Sequence, residues 1–140
     1  MSAEERLRAQ GLRVTPQRRL VLERMLQEAG RHWTADELHE ALRAQLSELA
    51  RGTVYNILAE LVRVGLAEEL PAREGSVRYG IRLAPHHHFY CEICRLWFDV
   101  LPPGADALAL AAPDRERFHV EAVDIVFRGR CAVCVGRTPR

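Results

Sequence analysis

The apolar positions of the first 81 residues recur at helical spacing four times and then at strand spacing twice. Ser2 and Glu5 stand three apart just ahead of the first apolar positions. A serine followed by glutamate at that distance satisfies two orphan N–H groups reciprocally, so a short helix is expected from there to about Gln10, with Gly11 ending it. Thr15 and Pro16 mark a second start, a hydroxyl cap followed by a residue already fixed in helical φ. Leu22, Met25, Leu26 and Ala29 follow at i, i+3, i+4 and i+7, which is one helical face. Gly30 is expected to close that helix. Thr34 and Glu37 repeat the capping pattern, and Ala35, Leu38, Leu42 and Leu46 make the third stripe. A polar stretch, 47–52, leads to a fourth helix with Val54, Ile57, Leu58, Leu61 and Val62 inward and Gly65 at its end. Two strands are predicted next, Ala67–Leu70 and Val77–Ile81, joined by residues 72–76.

Three helices, two of them joined by a tight turn, followed by a two-stranded hairpin describe a winged helix-turn-helix. The fourth helix is then the recognition helix. Its polar positions Arg51, Thr53, Tyr55 and Asn56 face DNA in that arrangement. Asparagine can read adenine with two hydrogen bonds, and tyrosine or threonine can meet a thymine methyl or a phosphate. Arg18, Arg19 and Arg24 lie off the apolar face of the second helix, where they form either a solvated surface or phosphate contacts. A three-helix bundle with no nucleic-acid role fits the same spacing.

The second half is patterned differently. Residues 82–85 read as a linker, and Pro85 favours extended backbone just before it. Leu96–Leu101 and Val120–Phe127 read as strands, and Asp106–Ala112 as a short helix cut off by Pro113. The last six residues are expected to fray. So short a segment cannot bury a generous core, and a bound metal, dimerisation or both would supply the missing stability.

Composition changes this picture little. The chain has 140 residues, a hydrophobic content of 48% and a net charge of +1. That length allows one domain or two small ones. No global field announces a nucleic-acid partner, and no apolar run approaches the roughly 18 residues needed to span a membrane. All 20 basic residues are arginine. Arginine suits bidentate phosphate and guanine contacts, though a compositional bias explains it equally well.

Chemistry is concentrated in His86–Cys94, where three imidazoles and two thiols fall within nine residues. Cys91 and Cys94 have the Cys-x2-Cys spacing, which Cys131 and Cys134 repeat after 36 intervening residues. Two such turns complete a tetrahedral four-sulfur cage, closed to water and therefore structural zinc. Two disulfides or a redox pair are the alternatives. With no signal peptide at the N-terminus a reducing, cytoplasmic setting is expected, which disfavours disulfides. A redox Cys-x2-Cys would be expected once, near a βαβ pattern. Histidine and carboxylate ligands suit a second, exchangeable ion such as iron, manganese or zinc. In an extended segment His86 and His88 share a face and His87 points away. His39 is expected at the surface, and His119 at the surface or in a structural role.

The order of these features resembles the ferric uptake regulator (Fur) family along nearly the whole chain. The resemblance rests on residues 11–18 (Gly-Leu-Arg-Val-Thr-Pro-Gln-Arg), 32–37 (His-Trp-Thr-Ala-Asp-Glu), 52–58 (Gly-Thr-Val-Tyr-Asn-Ile-Leu), Arg78-Tyr79 and 86–94. It implies an α+β protein: a winged-helix DNA-binding domain over residues 1–82, a hinge at 83–86, and a small α/β dimerisation and zinc-binding domain over 87–140. It also implies a homodimeric, metal-activated repressor of A/T-rich inverted repeats, without enzymatic activity or membrane association. The family's regulatory ligands fall on His32, His86, His88 and Asp99, for Fe(II) or Mn(II). DNA contacts are expected at Arg13, Arg18, Arg51, Thr53, Tyr55 and Asn56.

Two departures stand out. The family commonly has an acidic ligand after Arg-Tyr, where this chain has Gly80. The site is then four-coordinate, takes water, or recruits His87 or another carboxylate such as Glu74. A further site of some members would fall on Pro85 and Val123, which cannot ligate, and is not expected. Asn56 after Tyr55, and Asp99 where others carry glutamate, resemble the peroxide-responsive branch. There, ferrous iron reacts with hydrogen peroxide and a ligand histidine is oxidised, by analogy His32 or His86, whereas manganese supports repression without that reaction. Plain iron or manganese homeostasis is the alternative, and zinc sensing a more distant one. Outside the family, the competing classes are a zinc-binding interaction module, a metal-dependent hydrolase and a thiol redox enzyme.

Overall fold

In the computed structural model, residues 1–71, 75–82 and 86–137 are described, and they fall into two compact units, Met1–Ala84 and Pro85–Arg140. The first contains α1 (Ala3–Ala9), α2 (Pro16–Gln27), α3 (Ala35–Leu42), α4 (Arg51–Arg63), β1 (Ala67–Leu70) and β2 (Arg78–Ile81). The helix starts follow the caps. The Ser2 hydroxyl accepts from Glu5 N, the Thr15 hydroxyl from Arg18 N, and Thr34 and Glu37 close a reciprocal capping box. Gly65 ends α4 at φ +83°, a conformation that costs a residue with a Cβ.

Two helix ends differ from expectation. The second helix stops at Gln27, three residues before Gly30, with Glu28 as its C-cap. The third stops at Leu42, and Leu46 packs against the core from the turn that follows. In both cases the stripe continues after the helical hydrogen bonds end, because apolar periodicity reports burial rather than backbone pairing.

Leu7, Val21, Leu22, Met25, Leu38, Leu42, Val54, Leu58 and Leu61 are almost wholly buried in one core shared by the four helices and the hairpin. β1 and β2 pair antiparallel with Glu68 opposite Gly80. Residues 72–74 of the connecting loop, including Glu74, lie outside the described residues. Trp33 joins the hairpin through a bridge to Tyr79, with N–H to O distances of 2.8 and 2.7 Å. Its ring is covered by Arg31, whose guanidinium carbon stands 3.5 Å from the ring centroid. His39, expected at the surface, is half-buried, with Nε2 2.6 Å from the Leu49 carbonyl oxygen, and so ties α3 to the segment before α4.

The second unit is a three-stranded sheet in the order β4-β3-β5, from β3 (His87–Cys91), β4 (Trp97–Val100) and β5 (Val126–Gly129). β3 runs antiparallel to β4 and parallel to β5. The predicted strand over 120–127 is largely absent: pairing starts at Val126, opposite His88. β3 itself begins at His87, and the Ile125 carbonyl already accepts from His88 N at 3.1 Å, so residues before Ile125 have no ladder to join. The expected helix over 106–112 is also replaced, by a 3-10 turn at Ala105–Ala107 and a short α5 at Asp114–Arg117. Pro113 is the N-cap of α5 and opens a helix instead of ending one. Proline is tolerated at a helix start, where its missing N–H would have no partner in any case.

Candidate metal centres and the exposed face of α4

The four cysteines converge. All are free thiols, and their sulfurs all lie within 4.8 Å of one another. Four sulfurs around one zinc at bonds of about 2.3 Å stand roughly 3.8 Å apart. The separation between Cys94 Sγ and Cys131 Sγ is 3.9 Å. The donor set therefore fits tetrahedral zinc. Cys91 lies at the end of β3 and accepts hydrogen bonds at Sγ from Cys94 N and Cys131 N. Burial raises its thiol, but donation from the backbone of Cys131, Cys94 and Ile93 outweighs that and holds it at about 6. Those backbone donors favour the thiolate that a zinc ligand needs. Burial and the neighbouring sulfurs push Cys134 up to about 12, and a bound cation would favour its thiolate. The knuckle turns at Arg95, at φ +61°.

A second donor group forms on the other end of the same strand. His88 and Asp99 are direct cross-strand neighbours on β3 and β4. Asp99 Oδ1 is 3.6 Å from His88 Nε2 and 3.4 Å from His86 Nε2. Two donors bound to one ion at about 2.0–2.2 Å lie roughly 3 to 3.7 Å apart, so these spacings suit a shared ion. The imidazoles meet edge to face, with centroids 4.8 Å apart, and His88 also meets the Trp97 ring edge-on. Strand alternation accounts for His87, whose Nδ1 accepts from Ile125 N at 3.0 Å. That histidine holds β5 to β3 and is not part of the donor group.

His32 belongs to the first unit. It is buried and held from two sides. Trp33 fixes its chain neighbour on β2, and Arg78 donates to its carbonyl at 2.9 Å while also bonding Glu37. The residue pair Arg78-Tyr79 therefore positions His32. Its Nε2 lies 3.7 Å from Glu68 Oε1. Sequence reading missed Glu68. The signal that could have found it is register: the residue facing Gly80 across the hairpin is the next place a carboxylate can come from.

Of the six DNA-facing candidates, Arg13, Arg51, Tyr55 and Asn56 are exposed and Thr53 is half-buried. Arg18 is engaged within the unit, donating to Glu60 at 2.7 Å and to the Arg13 carbonyl at 2.9 Å. It ties α2 to α4. Among the described residues no helix is long and apolar enough to cross a membrane.

Comparison with known proteins places these features. A model of the ferric uptake regulator family matches residues 9–128. The "Peroxide operon regulator" of Bacillus subtilis (strain 168) is 33% identical over 132 residues, which span 94% of this chain and 90% of that protein. The "Peroxide-responsive repressor PerR" of Staphylococcus saprophyticus is 32% identical over 128 residues, covering 91% of this chain and 86% of that protein. A solved structure of the Helicobacter pylori ferric uptake regulator, described as having three functional metal binding sites, superposes with a TM-score of 0.75 at 20% identity. It covers 94% of this chain and 87% of that one, and at that identity the likeness is one of fold.

Proposed function

Because this chain belongs to the ferric uptake regulator family, we propose that it is a metal-dependent transcriptional repressor, bound to its operator when Fe(II) or Mn(II) is loaded and released by hydrogen peroxide. It is a regulator and not an enzyme, and it works in the cytoplasm as a homodimer on A/T-rich inverted repeats.

The observation that carries the reading is the His86, His88 and Asp99 group, two imidazoles and a carboxylate at ion-sharing distances on adjoining strands. Nitrogen and oxygen donors of this kind suit iron and manganese, while the four thiolates suit a separate, permanent zinc. His32 is the ligand that the DNA-binding unit contributes to the same ion. Ligands drawn from both units make the bound ion favour one arrangement of the winged helices. That arrangement sets the half-site spacing a palindrome tests. Arg51, Tyr55 and Asn56 on α4, with Thr53 and Arg13 beside them, make the DNA contacts, and Arg18 positions the helices that carry them.

Dimerisation has its own support. Leu108, Leu110, Phe118, Val120 and Val123 line an open groove of about 690 Å³ in the second unit. Contiguous exposed apolar surface of this kind marks interaction sites. Iron, when bound, supplies one-electron chemistry toward peroxide. His32 and His86 are the side chains expected to take up the oxygen.

The test uses zinc-loaded protein and a labelled A/T-rich inverted-repeat duplex under anaerobic conditions. DNA affinity is measured with Fe(II) and with Mn(II), before and after a pulse of hydrogen peroxide, followed by peptide mass spectrometry. The expected result is that the iron form releases DNA and gains one oxygen at His32 or His86, while the manganese form holds on. Binding by both forms with no oxidation would make the protein an iron- or manganese-homeostasis repressor. Binding indifferent to any second metal would overturn metal regulation altogether.

A further inference from the structure

Resting on that reading of the regulatory ion, we propose that Glu68 is a ligand of the same ion, so that the DNA-binding unit contributes an imidazole and a carboxylate and not an imidazole alone. Glu68 sits on β1 directly opposite Gly80 on β2. Its side chain is largely buried, at 15% exposed, beside a His32 side chain that is 2% exposed. Glu68 Oε1 and His32 Nε2 are 3.7 Å apart, at the upper end of the roughly 3 to 3.7 Å that separates two donors on one ion with bonds of about 2.0–2.2 Å.

Gly80 explains how the carboxylate reaches there. A Cβ on residue 80 would stand 2.7 Å from His32 Cδ2, 3.1 Å from His32 Nε2 and 3.4 Å from Glu68 Oε1. No side chain fits at that position with His32 where it is. The imidazole occupies the space above the glycine, and the glutamate opposite extends into the same space. Arg78 and the Trp33–Tyr79 bridge fix the backbone that carries His32, and its imidazole, 2% exposed, is packed in with little room to turn aside. The hairpin therefore supplies its carboxylate from β1, with β2 left bare to make room. Alternation along β1 makes the choice specific, since Glu69 is exposed.

A second carboxylate also has a chemical consequence. With Glu68 the first unit offers the ion one imidazole and one carboxylate. Hard oxygen donors shift preference toward manganese and ferrous iron and away from metals that favour thiolate.

The experiment is Mn(II) binding to the full-length, zinc-loaded protein, read from the free-ion EPR signal. Wild type, Glu68→Gln and, as a control for the site itself, Asp99→Ala are compared. Glutamine keeps the shape and removes the charge. Glu68→Gln is expected to weaken Mn(II) at least tenfold, with an altered spectrum for the bound ion and an unchanged melting temperature in the absence of Mn(II). If Asp99→Ala loses Mn(II) while Glu68→Gln binds it with wild-type affinity and spectrum, Glu68 is not a ligand and the site reading survives. If wild type itself binds no stoichiometric second ion, both readings fall.

Discussion

Replacing Cys91 with serine is expected to strip the zinc from the protein and unfold its second unit while leaving the first intact. The reason is the small number of other groups that hold this unit. Among its described residues the buried hydrophobic side chains are Tyr90, Cys91, Trp97 and Cys134. Two of those four belong to the four-sulfur group that fits zinc, so on that reading the metal site and the core are largely the same object. Cys91 is fully buried and takes hydrogen bonds from the Cys94 and Cys131 amides, which stabilise the thiolate. A serine hydroxyl keeps its proton and offers zinc a poorer ligand. Structural zinc in small domains contributes on the order of 10–16 kcal/mol of apparent binding energy, which exceeds the whole stability of most domains. Zinc content after dialysis against a chelator should fall from one per chain to near zero. Amide exchange should become rapid in 86–137 and stay slow in α2 and α4. A Cys91→Ser protein that retained zinc and protected amides would show that the four thiols are not the staple.

The second large effect is expected at Asp99. Asp99→Ala removes the oxygen that both His86 and His88 approach, at 3.4 and 3.6 Å. Its side chain is a third exposed, on a strand edge, so its loss should cost the fold little. The metal should suffer more: losing a charged ligand costs at least the 10- to 100-fold that even an outer partner of a ligand is worth. At Mn(II) concentrations that saturate wild type, operator binding by Asp99→Ala should fall to the level of metal-free protein, while zinc content stays at one. Titration calorimetry with Mn(II), beside a gel-shift assay, reads both. Undiminished metal-dependent DNA binding would remove Asp99 from the regulatory set.

The parts legible from sequence are those whose physics is local. Ser2, Thr15 and Thr34 announced their helices because a cap needs only its next three residues. Cys91, Cys94, Cys131 and Cys134 were legible as one site because their spacing is itself the ligand geometry. His86 and His88 separated from His87 by strand alternation, and the Ile125 contact gives the odd histidine its own role. Long-range pairing was not legible. The extent of β5 depends on where β3 begins, and no property of 120–125 encodes that. Pro113 was read as a stop because its sequence neighbours do not say which side of it the hydrogen bonds lie on. Glu68 was hidden for the same reason: it matters through a residue twelve positions away, across a hairpin. His39 looked solvent-facing on its helix because the Leu49 carbonyl that receives it comes from the next segment.

The short strand β3 carries one further consequence. His88 and Cys91 are three residues apart on it, about 10 Å of extended chain at roughly 3.3 Å per residue. It is the middle strand of its sheet, hydrogen-bonded on both edges. The permanent ion and the exchangeable ion therefore pull on opposite ends of one stiff rod. Stabilisation of the rod by either must favour retention of the other, and by the same factor, since coupling between two binding events is reciprocal. Occupancy of the sensing site should thus slow the loss of zinc to a strong chelator, a rate measurable with and without saturating Mn(II). Equal rates would mean that β3 transmits nothing. Slower release would make the exchangeable ion a guardian of the protein's fold: chains that lack it would also lose zinc, and with it their second unit, sooner.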